Sequence, residues 1–161
     1  MFFLLFRMSR YEIVRSKGDL QDGDHVSMPS EMSGYSFQHH AIVVSTPKEG
    51  EGNLFKIIHV ATAASGISGI SYFTSSPSFS SDYYVREHTL DFTNKIRRGV
   101  LLRYLYAPGE CKNTYDVIKS AIQKIGKFNF DARANNCEHF ARWCKTGNSV
   151  SYQAQTQGGY Y

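Results

Sequence analysis

Apolar and β-branched residues form short segments between turn residues through the first two thirds of the chain. Two such segments, His39–Ser45 and Leu54–Ala61, are rich in valine, isoleucine and other apolar residues. Between them lie Pro47, Gly50 and Gly52, so the two segments are predicted to form a β-hairpin. Two further strands are predicted over Tyr83–Leu90 and Val100–Tyr106.

The pattern changes to a helical period near Asn113. Ile118, Ala121, Ile122 and Ile125 recur at i, i+3, i+4 and i+7, which predicts one apolar helix face, and Asn113 is placed to cap that helix. A second helix is predicted to begin at Asn136-Cys137 and to end near Gly147. Strands first and helices last predict an α+β fold with an antiparallel sheet.

The composition is that of one globular domain, since domains usually hold roughly 100–200 residues and the chain has 161. Hydrophobic residues make up 42% and charged residues 20%, which excludes global disorder, a collagen repeat and a coiled coil. No apolar run approaches the roughly 20 residues that a membrane-spanning helix needs. The net charge of +4 suits an anionic surface such as a phospholipid interface, but it is no signature of nucleic-acid binding.

The cysteines indicate a reducing compartment. Cys111, Cys137 and Cys144 are odd in number and form no CxxC pair, which favours free thiols in the cytoplasm over a disulfide framework. The apolar start Met1–Phe6 precedes Arg7, which reverses the order of charge and apolar run in a signal peptide. This start is therefore interpreted as a first strand or a frayed end in preference to a weak interfacial anchor.

Cys137 is the candidate nucleophile, because the predicted cap places it at the first position of a helix. Backbone N–H groups and the positive end of the helix dipole lie there, and such a position can lower a cysteine pKa from about 8.5 to roughly 3.5–7.5. The sequence thus predicts a thiolate at neutral pH, with N–H groups nearby to hold an oxyanion. A buried cysteine on an apolar stripe is more often a small hydrophobe, and Cys111 and Cys144 are interpreted in that way.

The hairpin supplies histidines that could act as the base. If Ser45 pairs with Leu54, the numbers of paired residues sum to 99, which places His59 opposite His40. A one-residue bulge would instead pair His59 with His39. Adjacent residues of a strand point to opposite faces, so only one of the two neighbouring histidines can share a side with the nucleophile. Counting alone leaves that choice open.

Zinc binding is the competing use of the same side chains. Cys137, His39, His59 and His139 could supply ligands, but Cys137 and His139 have the wrong spacing for one helix face, and the chain has no CxxC or HxxxH pair. A metal site is therefore not expected. The two remaining histidines, His25 and His88, are interpreted as surface or strand residues.

Asn136-Cys137-Glu138-His139-Phe140 resembles the signature of the lecithin:retinol acyltransferase family, which includes the phospholipase A/acyltransferases. Four more segments resemble family blocks: Gly23-Asp24-His25-Val26, His39-His40-Ala41-Ile42-Val43-Val44, Ile57-Ile58-His59-Val60 and Cys144-Lys145-Thr146-Gly147. The resemblance covers residues 18–150. Residues 1–17 are then an N-terminal extension or first strand, and residues 151–161 a polar tail.

The resemblance implies a circularly permuted papain-like fold related to the NlpC peptidases, with an antiparallel sheet of about four to six strands against a few helices. By position in the motifs, Cys137 is the nucleophile, His39 the general base and His59 the residue that orients it. Members of the family take an acyl chain from a glycerophospholipid onto the cysteine as a thioester. Water, or an acceptor amine or alcohol, then receives the acyl group, and no cofactor is expected.

Two departures from the family pattern change the picture. The chain ends in a polar tail where many members have a hydrophobic anchor, so we expect a cytoplasmic protein with at most a transient, peripheral membrane contact. Phe37 stands where several members have a tyrosine.

Two rival functions remain: a thiol peptidase or amidase of the same fold, and a non-enzymatic interaction protein. The intact Cys137, His39 and His59 argue against the second.

Overall fold

A seven-stranded antiparallel sheet with four α-helices forms the fold, in a computed structural model that describes residues 9–32, 35–62 and 82–156. The predicted α+β class is confirmed. The strands are β1 Arg10–Ile13, β2 His25–Met32, β3 Tyr35–Ser45, β4 Leu54–Thr62, β5 Tyr83–Asp91, β6 Leu102–Leu105 and β7 Gly126–Phe128, in the spatial order β1-β6-β2-β3-β4-β5-β7. The sheet exceeds the expected four to six strands because β1 and β7, of four and three residues, are too short to give a sequence signal. The apolar start at residues 1–6 lies outside the described residues.

The helices are α1 Thr93–Arg97, α2 Thr114–Gln123, α3 Cys137–Thr146 and α4 Tyr152–Thr156. Asn113 caps α2 as predicted, because its side chain accepts a hydrogen bond from the Asp116 amide (2.9 Å). Gly147 ends α3 with a φ of 84°, a conformation that glycine adopts without strain. No helix in the described ranges is long and apolar enough to span a membrane.

The buried face of α2 differs from the predicted one. Val117 and Ala121 are fully buried in the core, whereas Ile122 and Ile125 are 51% and 48% exposed. The helix ends at Gln123, so Ile125 lies beyond it and cannot continue its stripe. The buried face of α2 is therefore turned relative to the predicted one, and the apolar side chains of Ile122 and Ile125 lie on the surface.

Both faces of the sheet are covered. On one face, α2 and α3 pack against side chains of β3, β4 and β5, namely Ile42, Ile58, Val60 and Val85. On the other, Val14, Leu20, Phe92 and Leu101 cover Ala41, Val43, Phe55 and Ile57. Consecutive residues of β3 alternate between these faces, so the α3 face receives even-numbered residues of β3 and the opposite face receives odd-numbered ones.

The register of the hairpin differs from simple counting. Ala41 lies opposite His59 and Val43 opposite Ile57, and an irregularity between Val43 and Ser45 shifts the pairing near the turn. The prediction that His59 lies opposite His40 is therefore wrong, and His59 does not pair with His39 either. Because His39 and Ala41 are two residues apart in one strand, they share a face, and His59 lies on that face with them.

One edge of β3 lies open beside the hairpin. The backbone of Val43 bonds toward β2, since its amide donates to Asp24 O (2.9 Å) and its carbonyl accepts from the Gly23 amide (2.7 Å). Gln38 and His40 have the opposite parity, so their backbone groups face the β4 side. Along the described strands, β3–β4 pairing runs only from Ala41 toward the turn. The backbone of Gln38 and His40 is thus left to bond with something other than β4.

Candidate active site

Cys137 is the first residue of α3, as predicted, and it is 5% exposed. The Asn136 side-chain oxygen accepts hydrogen bonds from the amides of Glu138 (2.9 Å) and His139 (3.1 Å), and the Asn136 amide donates to His139 Nδ1 (3.0 Å). This reciprocal cap fixes the start of the helix and hence the position of the thiol. His139 therefore has a structural role in the cap of α3.

The sulfur of Cys137 lies against the open edge of β3. It donates to the Gln38 carbonyl at 3.7 Å, and the backbone amide of His40 lies within hydrogen-bonding reach of it. Gln38 and His40 flank His39 in the strand. The sulfur therefore reaches the backbone of β3 on either side of His39 from the face on which α3 packs. By the alternation of the strand, the His40 ring lies on that face and the His39 ring on the opposite one, so the contact with the position of the predicted base is made through the backbone edge.

Three histidines form a hydrogen-bonded chain across β3, β4 and β5. His39 Nε2 lies 2.8 Å from His59 Nδ1, and His59 Nε2 lies 2.6 Å from His88 Nδ1. His39 is 4% exposed, His59 is fully buried and His88 is half-buried. We call this the His39 chain. It joins the two histidines that the sequence singled out and adds a third that it did not.

A second chain lies on the α3 face, and we call it the His40 chain. His40 Nδ1 lies 2.6 Å from His25 Nε2, and His25 Nδ1 lies 2.7 Å from the Tyr106 hydroxyl. The His25 ring stacks on Tyr104 with 4.3 Å between ring centroids. His40 is 1% exposed, and its Nε2 has no hydrogen-bond partner among the residues that the structure describes.

Burial raises the pKa of the Cys137 thiol to about 12. The amides of His40 and Glu138 favour the thiolate, but they do not offset the loss of water, and the negative charge of Glu138 adds to the rise. The prediction of a thiolate at neutral pH is therefore contradicted. The start of the helix therefore does not lower the pKa as predicted, because burial of the thiol outweighs the amides around it.

Burial also holds the imidazoles neutral. It lowers the pKa of His39 well below 6.5, with further lowering by His59 and His40, and it lowers the pKa of His59 to about 3. For His40 the pKa falls to about 4. Thiol and imidazole are then both uncharged at neutral pH. Such an arrangement can move a proton from sulfur to nitrogen during a reaction, but it holds no ion pair beforehand.

Glu138 connects the nucleophile helix to the end of the chain. Its carboxylate is 1% exposed and accepts from Arg142 Nε (2.9 Å), the Ser151 hydroxyl (2.8 Å) and the amides of Tyr152 (3.1 Å) and Gln153 (3.1 Å). Four donors satisfy a buried carboxylate that would otherwise be costly. The segment that follows α3 is thereby fixed against the site.

Gln153 pairs with the open edge of β3 as a strand would. Its side-chain Nε2 donates to Gln38 O (3.2 Å) and its Oε1 accepts from the Gln38 amide (3.3 Å). The predicted polar tail at residues 151–161 thus begins with α4, which contacts the strand beside Cys137. Sequence reasoning missed this contact because a polar segment gives no hydrophobic pattern.

The family model for lecithin retinol acyltransferase matches residues 18–150, which is most of the chain. The chain belongs to this family. Lecithin retinol acyltransferase proteins have an NlpC/P60-like fold, so the predicted fold relationship is confirmed, and the family comprises thiol-dependent acyltransferases and phospholipases. A search of curated proteins finds no match to the chain.

In this lecithin retinol acyltransferase family member, the structure brings two of the three predicted site residues into direct contact. His39 bonds to His59, and Cys137 contacts the backbone on both sides of His39. Their roles as base, orienting residue and nucleophile stay predictions. The sequence missed His88, because the register of β5 against β4 cannot be counted across a connection of twenty residues between Thr62 and Tyr83.

The first turn of α3 offers fewer backbone amides for binding an oxyanion than its sequence position predicted. The cap uses the amides of Glu138 and His139, and the Phe140 amide donates to Asn136 O (3.1 Å). The amide of Cys137 is the first-turn donor that these bonds leave out, and the His40 amide points at the sulfur from β3.

Within the described ranges, no group of three or more His, Cys, Asp or Glu residues is arranged to hold a metal ion.

Proposed function

We propose that the protein transfers acyl groups from glycerophospholipids, as a phospholipase A, an N-acyltransferase or both, through a thioester on Cys137. Family membership supports acyl transfer by a thiol. The observation that carries the residue assignment is the contact of the Cys137 sulfur with the backbone on either side of His39, whose ring is bonded to His59.

In the first half-reaction, His39 accepts the thiol proton on Nδ1 while the sulfur bonds to the ester carbonyl carbon. Its other nitrogen, Nε2, is bonded to His59, which holds the ring in place. The carbonyl oxygen becomes an oxyanion, and we assign its binding to the amides of Cys137 and His40, which lie at the sulfur. The carbon–oxygen bond to the lysophospholipid then breaks, and the leaving oxygen takes the proton from His39.

In the second half-reaction, water or an acceptor amine or alcohol gives its proton to His39 and bonds to the thioester carbon. The carbon–sulfur bond breaks, and the sulfur recovers the proton. Because the thiol pKa is raised and the His39 pKa is lowered, charge develops only during each transfer. The mechanism therefore depends on a general base rather than on a stored thiolate–imidazolium pair.

Incubation with phosphatidylcholine vesicles, followed by mass measurement of the intact protein and of its peptides, tests this proposal. We expect one acyl adduct on the peptide that contains Cys137. Cys137→Ala should abolish both adduct and turnover, whereas Cys144→Ala and Cys111→Ala, which change the other two thiols, should retain them. Peptide turnover without an acyl adduct would instead establish the thiol peptidase or amidase, and activity of Cys137→Ala near the parent level would remove the nucleophile assignment.

We further propose that α2 and the two residues after it present the surface that meets the phospholipid. Tyr115 is 72% exposed and, with Ile122 and Ile125, places apolar side chains beside Lys119 and Lys124. Apolar side chains next to cations suit an anionic lipid interface. The net charge of +4 favours the same partner.

Vesicle co-sedimentation tests this surface. Adding an anionic phospholipid should increase binding, and raising the salt from about 0.01 M to about 1 M should reduce it, because the Debye length shrinks from about 30 Å to about 3 Å. The double variant Ile122→Gln/Ile125→Gln should bind more weakly. Leu54→Gln, at a similarly exposed apolar residue in β4, is the matched control and should bind as the parent does. Binding that ignores salt, lipid charge and the α2 variant would refute the assignment.

A further inference from the structure

The His39 chain has a third member that the proposed mechanism does not use. His88 lies in β5, and its Nδ1 is 2.6 Å from His59 Nε2. We propose that His88 is a positioning residue: by accepting a hydrogen bond from His59, it fixes the tautomers of His59 and His39 so that His39 can take the thiol proton. This inference rests on the proposed function, which makes His39 the base.

The argument follows from counting protons on neutral rings, each of which has one N–H and one acceptor nitrogen. To accept a proton on Nδ1, His39 must have its hydrogen on Nε2, which then donates to His59 Nδ1. His59 must have its hydrogen on Nε2, which donates to His88 Nδ1. One productive order therefore runs through all three rings, and it ends with His88 as the acceptor.

The reverse order satisfies the same two distances and is unproductive. If His88 Nδ1 donates to His59 Nε2, then His59 Nδ1 donates to His39 Nε2, and His39 must have its hydrogen on Nδ1. A ring in that state cannot accept the thiol proton. The direction of the bond between His59 and His88 thus decides whether His39 can act as a base.

Two features of the structure allow His88 to be that acceptor. His59 is fully buried, so bulk water does not reach its ring, and both ring nitrogens need partners within the protein. His39 and His88 supply them. In addition, burial and the positive charge of Arg86 lower the pKa of His88, which favours the neutral ring that can accept.

Two substitutions of His88 distinguish loss of its hydrogen bond with His59 from a change in packing. In His88→Asn, the amide oxygen can take the place of Nδ1 as an acceptor, whereas His88→Leu offers none. We expect single-turnover acylation of His88→Leu to fall roughly 10-fold to 100-fold with KM unchanged, as for the loss of a buried hydrogen bond. We expect His88→Asn to stay within about threefold of the parent, since it keeps the acceptor.

Nitrogen-15 NMR of the histidine rings reports which ring nitrogen has the hydrogen, and a change in packing alone would not alter that. In the parent, His39 and His59 should both have the hydrogen on Nε2, and His88→Leu should increase the population with the hydrogen on Nδ1. A parent in which His59 has its hydrogen on Nδ1 overturns the proposal, even if His88→Leu fails to fold. Parent-like acylation by a folded His88→Leu overturns it too and leaves the acyl transfer intact, whereas a parent that forms no acyl adduct refutes the proposed function instead.

Discussion

His39 and His40 are neighbours in one strand, yet they belong to two chains on opposite faces of the sheet. His39 bonds to His59 and, through it, to His88, whereas His40 bonds to His25 and, through it, to Tyr106. Two histidines of each chain are buried, and burial lowers the pKa of all four: His39 and His59 in one chain, His40 and His25 in the other. The chemical type and the burial of a residue therefore do not decide its role here, and the partners of its ring have to be compared.

The far ends of the two chains differ. The His40 chain ends at the Tyr106 hydroxyl, whose pKa is raised by burial, so the hydroxyl keeps its proton and can donate it to His25 Nδ1. His25 then donates from Nε2 to His40 Nδ1, which leaves the His40 hydrogen on Nε2. In that order neither nitrogen of His40 can accept a proton. The His39 chain ends in an imidazole, which can accept.

Replacing each neighbour in turn gives the largest expected difference between the chains. His39→Ala should lower single-turnover acylation at least about 100-fold, because a general base typically contributes about 10²–10⁴-fold. His40→Ala should cost little beyond local packing. Measuring both variants with one lipid, after checking that each unfolds cooperatively in urea, compares them directly. A dead His40→Ala beside an active His39→Ala would move the base to the other chain and overturn the family-based assignment.

His59→Gln should give an intermediate loss and so sharpen the account of the His39 chain. A glutamine amide overlies the Nε2 end of a histidine, so it can still meet His88, but the contact with His39 uses Nδ1. His39 should keep its chemistry and lose its orientation. Single-turnover acylation should therefore lie between the His39→Ala and His40→Ala rates, and a value at either extreme would contradict the orienting role.

Local signals in the sequence were sufficient for the helix of the nucleophile and for the strands around it. Asn136 caps α3 and Gly147 ends it, because both effects involve only a few adjacent residues. The predicted register of the hairpin was wrong because of the irregularity between Val43 and Ser45, which no local sequence pattern indicates. The thiolate prediction failed for a different reason: the pKa of Cys137 depends on how completely the folded protein excludes water, and the helix end alone does not determine that.

Acid stability tests whether both chains keep their buried histidines neutral, and it gives the smallest of these effects. The folded pKa values of His40 and His59, about 4 and about 3, lie below the unfolded value of about 6.5. The unfolded state therefore binds more protons as the pH falls below 6.5, and the native state loses stability toward acid. Each such histidine should account for about 2 kcal/mol of the loss between pH 7 and pH 5.

Urea unfolding of the parent, His40→Ala and His59→Gln at pH 7 and pH 5 measures this loss. Each variant should be less stable than the parent at pH 7, yet it should lose about 2 kcal/mol less on acidification, because one proton-binding site of the unfolded state is gone. Equal reductions would show that His40 and His59 both stay neutral in the native state down to pH 5, so that their bonding partners separate their roles. A variant that loses as much as the parent would show that its histidine already takes up protons in the native state, and the comparison between buried neutral chains would then fail for that chain.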